Sequence, residues 1–179
     1  QAEMVSFYGP AVITQFGEWP KPHSYTAEEF FKATQSTDPR VIEASDEWTD
    51  DKDNMDYVEG TDTGYHREYQ DNPGYQWLHS GDAKGKLIGG CITSLMNVRG
   101  TEYWPDTEDS ILVLETPEGA NYWEGEDLGR IQSHLTNLRL DETFDEVNGV
   151  IFGRGFGYTD QERERLKTMV EEVTGDYDM

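Results

Sequence analysis

Residues 111–115 read Ile-Leu-Val-Leu-Glu, a short and continuous apolar run that ends on a carboxylate. This pattern is typical of a buried central strand, because a strand that is covered on both faces needs no alternation of polar and apolar residues. A second apolar run, residues 147–152, closes on Gly153 and predicts another strand.

Two helical patterns accompany these strands. The first has apolar residues at helical spacing, at Leu128, Ile131, Leu135 and Leu138. The second begins at Thr159, where Glu162 completes a capping-box pattern. Its predicted buried positions are Leu166, Met169, Val170 and Val173. Strands and helices that alternate in this way predict a mixed fold, α/β or α+β.

The first half of the chain has weaker patterns. Thr26 and Glu29 suggest a capping box and a helix that ends at Asp38-Pro39. Residues 44–70 are polar, and we expect an irregular or weakly stranded segment there. Its aromatic residues are expected to anchor it, namely Trp48, Tyr57, Tyr65 and Tyr69.

Three further strands are predicted, at Val5–Tyr8, Tyr75–Leu78 and Lys84–Ile88. Gly89-Gly90 is then expected to open a helix, which Gly100 closes.

The charge balance is strongly acidic. Aspartate and glutamate number 37 against 14 lysines and arginines, which gives a formal net charge of −23. Such a surface repels the phosphates of nucleic acid and of anionic lipids, so we expect neither nucleic acid nor a membrane as a partner. A high-salt habitat and an ordinary acidic soluble protein stay open as explanations of the acidity.

Cys91 is the only cysteine, so the chain has neither an internal disulfide nor a cysteine cluster for zinc. This composition fits a reducing compartment, and we expect a cytoplasmic protein. His66, His79 and His134 lie in polar surroundings without metal-binding spacings, and we expect all three to be solvent-exposed.

Glu115 is the first candidate for chemistry. In open α/β sheets ligands bind at the carboxyl ends of the strands, and an ionised group there needs a partner that offsets its desolvation. Such a glutamate could orient a catalytic histidine, as the acid of a Ser-His-acid triad does. The alternative, which spacing alone favours, is a structural glutamate that caps a turn or pairs with Arg130 or Arg154.

Gly89-Gly90-Cys91 is the second candidate. If the glycines open a helix, its first N–H groups could hold a carboxylate or an oxyanion. The alternative is close packing of helix on strand. Gly153–Gly157 lacks the Gly-Lys-Ser/Thr ending of a phosphate loop, so we interpret it as a turn between strand and helix. Taken alone, these residues specify no reaction.

Six motifs have a characteristic order and separation along the chain. They are Phe7-Tyr8-Gly9-Pro10, Glu47-Trp48-Thr49-Asp50, Gly85–Gly90, Gly100–Pro105, Ile111–Glu115 and Gly149–Gly153. In this arrangement the chain resembles the C-terminal half of the LD-carboxypeptidase and microcin C self-immunity family over essentially its whole length. Trp48-Thr49-Asp50 and Tyr103-Trp104-Pro105 favour the microcin-immunity branch.

The resemblance implies a two-domain serine peptidase. A flavodoxin-like N-terminal domain would supply the serine, and a C-terminal domain of the swivelling β/β/α type would supply a glutamate and then a histidine. Residues 1–179 would be this single C-terminal domain, with residues 1–10 as the tail of the missing domain or the crossover between the two. We expect the chain to be incomplete at both ends, so that Glu115 is the sole triad member within it.

The resemblance also implies substrate-binding positions at Gly90 and Cys91. The family usually has Gly-Gly-Asn where this chain has Gly89-Gly90-Cys91, and the asparagine amide is expected near the substrate. A thiol is a poor hydrogen-bond donor, so substrate affinity or specificity would differ here.

The implied function is hydrolysis of a C-terminal peptide or amide bond by a Ser-His-Glu triad, with no metal or organic cofactor. The substrate would be an LD-peptide or a peptidyl- or aminoacyl-nucleotide conjugate. The other expected partners are the missing N-terminal domain and, as in the family, a second copy in a homodimer. The isolated chain would be inactive. The alternative is a non-catalytic binding or interaction module derived from the same domain.

Overall fold

The structure is a computed structural model that describes residues 7–52, 66–121 and 123–177. The chain divides into two compact units, Gln1–Gln76 and Trp77–Met179. The expectation that residues 1–179 form one peptidase domain stays a prediction.

The described residues of the first unit, 7–52 and 66–76, contain one helix and one short pair of strands. Helix α1 spans Ser24–Gln35. Strand β1, Glu47–Trp48, pairs in antiparallel fashion with strand β2, Gln70–Asp71. Strands of two residues agree with the weakly stranded segment predicted for residues 44–70.

The capping box predicted for α1 is wrong. The helix begins at Ser24, so Thr26 already lies inside its first turn. Glu29 instead pairs with Lys32 at 2.8 Å and also with Arg40. The helix ends at Gln35, earlier than predicted, because the backbone of Ser36 is extended.

Tyr69 behaves as the predicted anchor of its segment. Its hydroxyl donates a hydrogen bond of 2.6 Å to Oε1 of Glu18, which is 8% exposed. Its ring stacks on His23 with 5.0 Å between the ring centroids. Tyr57 and Tyr65 lie outside the described residues, as do the first two residues of the predicted strand Val5–Tyr8, whose last two residues form no strand.

The second unit is built on a three-stranded parallel sheet in the order β3-β4-β5. Strand β3 is Lys86–Cys91, β4 is Ser110–Glu115 and β5 is Gly149–Phe152. The helices of this unit are α2, Ile92–Met96; α3, Leu128–Leu140; α4, Thr143–Glu146; and α5, Asp160–Thr174. The predicted mixed α/β class and the central position of residues 111–115 are confirmed.

Two local predictions in this unit are wrong. Residues 75–78 form no strand, and Gly89-Gly90 belongs to β3 instead of opening a helix. The helix after β3 ends at Met96, four residues before Gly100. By contrast, the capping box of Thr159 and Glu162 is present at the start of α5.

The hydrophobic core lies on one face of the sheet. Leu112 and Leu114 of β4 are fully buried in a cluster with the apolar residues of α3 and α5 that the sequence predicts. The alternate residues of β4 are only half-buried, and their neighbours Leu87 and Ile151 are 64% and 50% exposed. The prediction of a strand buried on both faces therefore holds for one face only.

Candidate functional site

The predicted site residues meet at the carboxyl edge of the sheet. Cys91 ends β3 and Glu115 ends β4, and the two are register partners in the parallel pairing. Gly90 pairs with Leu114 one position earlier. Neighbouring strands lie about 4.8 Å apart and register partners point to the same face, so the half-buried side chains of Cys91 and Glu115 leave the sheet side by side.

Two glycines of β3 have positive φ angles, and one of them allows β3 to approach β4 closely. Gly89 has a φ of +113° and Gly90 a φ of +136°, a region that disfavours residues with a side chain. A Cβ atom on Gly89 would lie 2.1 Å from the carbonyl oxygen of Val113, inside the contact distance of the two atoms. Glycine at position 89 is therefore required by the strand pairing that carries Cys91.

The oxyanion hypothesis for this turn loses its structural basis. Helix α2 begins at Ile92 and has five residues. A helix of only five residues offers little macrodipole to hold an anion. We therefore assign no anion site to its N-terminus.

The third strand contributes a glycine to the same edge. Gly153 follows β5, and its N–H donates a hydrogen bond of 2.7 Å to the carbonyl oxygen of Leu114. A Cβ atom on Gly153 would lie 3.2 Å from Cβ of Glu115. The sequence marks Gly153 as the end of a strand, but its place beside Glu115 depends on the register of β5, which the sequence does not show.

After Glu115 the chain forms a short hairpin, residues 117–121 and 123–126. Gly119 donates a backbone hydrogen bond of 2.8 Å to Glu124, and Glu126 donates one of 3.3 Å to Pro117. An antiparallel bridge joins Glu118 and Gly125. The hairpin therefore lies next to the carboxyl end of β4.

Tyr158 joins this hairpin to the turn that follows β5. The tyrosine is 4% exposed, and its hydroxyl donates a hydrogen bond of 2.6 Å to the carbonyl oxygen of Glu126. Burial raises the pKa of the Tyr158 phenol, which therefore stays protonated and remains a donor at neutral pH. Nothing in the sequence pattern separates Tyr158 from the other tyrosines, so this contact was not predicted.

Arg130 and Arg154 are the two alternative partners predicted for Glu115, and Arg130 pairs with a different carboxylate. Arg130 pairs with Glu126 at 3.5 Å, with the Arg130 side chain exposed and the Glu126 side chain largely buried. Arg154 follows Gly153 in the turn after β5. Because Arg130 already pairs with Glu126, a purely structural Glu115–Arg130 ion pair is less well supported.

Two of the three histidines that were predicted to be exposed are half-buried. His134 is half-buried in α3, and its Nε2 atom has no hydrogen-bond partner in the part of the chain that the structure describes. Burial, together with the positive charge of Arg130, lowers the pKa of His134. His79 is half-buried as well, and its Nε2 atom lies 3.2 Å from Oγ1 of Thr174. His66 is exposed, as predicted.

Neither a metal cluster nor a membrane span is seen in the described ranges 7–52, 66–121 and 123–177. There, no three histidine, cysteine, aspartate or glutamate side chains are grouped as ligands of one metal ion. None of the helices in these ranges combines the length and the apolar character that crossing a membrane requires.

Known proteins are similar in sequence to this chain. The profile of the family described as "LD-carboxypeptidase C-terminal domain" matches residues 84–179, which include β3, β4, β5 and α5. The "Putative carboxypeptidase YocD" of Bacillus subtilis (strain 168) is 30% identical over 168 residues, which are 94% of this chain and 47% of YocD. The microcin C7 self-immunity protein MccF of Escherichia coli is 25% identical over 177 residues, which are 96% of this chain and 48% of MccF. The chain thus spans about half the length of these relatives.

Solved structures share the fold. MccF without ligand matches with a TM-score of 0.77 and 23% identity, over 96% of this chain and 49% of MccF. MccF in complex with aspartyl sulfamoyl adenosine matches with a TM-score of 0.76 and 23% identity, over 96% of this chain and 49% of MccF. At this level of identity the structural likeness concerns the fold alone. Since the family profile covers more than half of the sequence, the predicted membership is confirmed, and the chain belongs to the LD-carboxypeptidase C-terminal domain family.

Proposed function

We propose that this chain is the C-terminal domain of a serine carboxypeptidase that hydrolyses a C-terminal peptide or amide bond. The observation that carries the proposal is the position of Glu115. It ends the central strand of a parallel sheet, at the edge where α/β proteins bind ligands, inside the segment that matches the family.

Glu115 is the acid of the proposed triad. A serine and a histidine from outside residues 1–179 complete it. The serine hydroxyl attacks the carbonyl carbon while the histidine takes its proton, and the histidine then gives that proton to the leaving amine. Water hydrolyses the acyl-enzyme in the same way. Glu115 accepts a hydrogen bond from the second ring nitrogen of the histidine and stabilises the imidazolium in both steps.

Two substrate classes fit the proposal. An LD-peptide is supported by the description of the family. An aminoacyl- or peptidyl-nucleotide conjugate is supported by the complex of MccF with aspartyl sulfamoyl adenosine. Gly90 and Cys91 are the proposed substrate-binding positions, because they adjoin Glu115 at the sheet edge.

The proposed whole protein places this domain beside a flavodoxin-like N-terminal domain. In this arrangement residues 1–179 belong to one domain of the swivelling β/β/α type, and residues 1–10 are the tail of the preceding domain or the crossover to it. The protein acts in the cytoplasm, with no metal or organic cofactor, and forms a homodimer.

A second candidate function is a non-catalytic binding module derived from the same domain. The observation in its favour is Cys91, since the family that the sequence resembles has asparagine beside the acid. A thiol cannot replace the two donors and the acceptor of an amide.

A substrate panel tests the proposed function. The full-length protein that contains this chain, and the chain alone, are each incubated with an L,D-tetrapeptide and with aspartyl sulfamoyl adenosine, and the products are followed by mass spectrometry. We expect the full-length protein to hydrolyse at least one substrate and the chain alone to hydrolyse neither. Hydrolysis by the chain alone, or by neither protein, contradicts the proposal.

A further inference from the structure

One buried side chain, that of Tyr158, contacts both the loop that follows β4 and the loop that follows β5. The hairpin after β4 and the turn after β5, residues 153–158, both leave the carboxyl edge of the sheet. Tyr158 ends that turn, and its hydroxyl holds the carbonyl oxygen of Glu126 at 2.6 Å, where the hairpin closes.

The ring of Tyr158 fits between two glycines. A Cβ atom on Gly125 would lie 2.2 Å from Cε1 of the ring, and a Cβ atom on Gly155 would lie 2.2 Å from Cδ2 on the opposite edge. Gly157, with a φ of +71°, would in turn place a Cβ atom 2.8 Å from the backbone nitrogen of Gly125. The ring thus contacts the backbone of both loops, with no room for a side chain at either contact.

The same turn contacts Glu115. Gly153 donates to Leu114 at 2.7 Å, and its Cβ position lies 3.2 Å from Cβ of Glu115. The Cβ position of Gly155 lies 3.2 Å from Oγ1 of Thr116, the residue after Glu115. A shift of either loop would therefore move the backbone on both sides of the glutamate.

We propose that Tyr158 is a positioning residue for Glu115. Through its bond to Glu126 and its fit between Gly125 and Gly155, it fixes the backbone from which the Glu115 carboxylate projects. This role rests on the proposed function, because Glu115 must be held in one orientation to accept the hydrogen bond of a catalytic histidine.

Amide hydrogen exchange in the chain tests the mechanical part of the proposal. Tyr158→Phe keeps the ring and removes only the hydroxyl. The amides of Gly119, Glu126 and Gly153, each bonded to a known acceptor, are expected to exchange roughly tenfold faster, the factor that one hydrogen bond supports. Tyr177→Phe is the matched control, because the Tyr177 ring packs on Phe144 and its hydroxyl forms no hydrogen bond among the described residues. Unchanged exchange at all three amides overturns the proposal.

Two further measurements separate positioning from mere stabilisation. In the full-length protein, Tyr158→Phe should lower kcat roughly tenfold and leave KM within about twofold. The hydrogen bond between Glu115 and the catalytic histidine stabilises the transition state, so a misplaced Glu115 slows the reaction more than it weakens substrate binding. In the chain, the three-bond couplings that report the χ1 angle of Glu115, measured by NMR, should move toward rotamer averaging in Tyr158→Phe and stay unchanged in Tyr177→Phe.

The outcomes distinguish the two proposals. An active full-length protein whose kcat is unaffected by Tyr158→Phe overturns the positioning role. If the wild-type protein hydrolyses neither substrate, the proposed function fails. In that case the NMR couplings still decide whether Tyr158 positions Glu115, and unchanged couplings in Tyr158→Phe overturn the positioning role.

Discussion

Cys91 lies directly opposite Glu115 where strands β3 and β4 end. Both side chains are half-buried, and both leave the sheet on the same face. The residue next to the proposed acid is therefore the one at which this sequence departs from the family that it resembles. The size and hydrogen-bonding capacity of residue 91 are expected to influence what binds beside Glu115.

Replacing the thiol with an amide should improve the proposed enzyme. In the full-length protein, Cys91→Asn is expected to raise kcat/KM roughly tenfold, because an amide supplies hydrogen bonds that a thiol makes poorly. Steady-state kinetics measure the change, and Cys91→Ala serves as the control for volume. An equal or lower kcat/KM for Cys91→Asn would remove residue 91 from the substrate-binding positions.

The close approach of β3 to β4 predicts that alanine at position 89 destabilises the chain much more than alanine at position 81. Gly89→Ala should lower the free energy of unfolding by about 2 to 4 kcal/mol, since the new methyl group meets the Val113 carbonyl and the φ is positive. Gly81→Ala, with nothing within 4 Å, should change it by less than about 0.5 kcal/mol. Urea denaturation followed by circular dichroism gives both values, and equal effects would contradict the strand pairing.

The one-sided core predicts a second contrast. Leu112 is fully buried, so Leu112→Ala should cost about 2 to 5 kcal/mol through lost burial and a cavity. Leu87 is 64% exposed on the other face, so Leu87→Ala should cost less than about 1 kcal/mol in the chain. Chemical denaturation of both variants checks the order, and a larger loss for Leu87→Ala would show that the faces are assigned incorrectly.

The half-buried His134 predicts a dependence of stability on pH. Burial lowers its pKa in the folded chain below the value of about 6.5 in the unfolded chain. Between these two values the unfolded state binds a proton that the folded state does not, so this contribution is fully present above about pH 6.5 and is lost as the pH falls through the folded pKa.

His134→Gln should therefore flatten the decline in the free energy of unfolding between about pH 7 and pH 5. The exposed Gln132 of the same helix provides the control, and Gln132→Ala should leave the decline unchanged. Urea denaturation at several pH values measures each slope. Identical slopes for the wild type and His134→Gln would show that folding does not lower the pKa of His134.

Strong periodic patterns predicted the second unit well. Residues 111–115 form the central strand, and the leucine spacing of α3 and the capping box of α5 hold as predicted. These features depend on residues close in sequence, whose spacing fixes one face of a helix or one run of a strand. The family resemblance assigned Cys91 and Glu115 to one site, but their pairing at the ends of β3 and β4 was not predicted.

The failures have a common physical cause. Gly89-Gly90 was expected to open a helix, but its pairing with Val113 and Leu114 keeps it in β3. The role of Tyr158 depends on contacts with Gly125 and Glu126, more than 30 positions away. Tertiary contacts of this kind outweigh local propensity and leave no mark in local spacing.

The most direct measurement is the activity of the full-length protein after Glu115→Gln. Glutamine keeps the shape of the side chain but removes the charge that stabilises the imidazolium, so kcat/KM should fall about 10³- to 10⁴-fold. Glu108→Gln, which changes an exposed carboxylate just before the opposite end of β4, should retain wild-type activity. If Glu115→Gln hydrolyses the substrate as fast as Glu108→Gln does, Glu115 is not the acid of the triad.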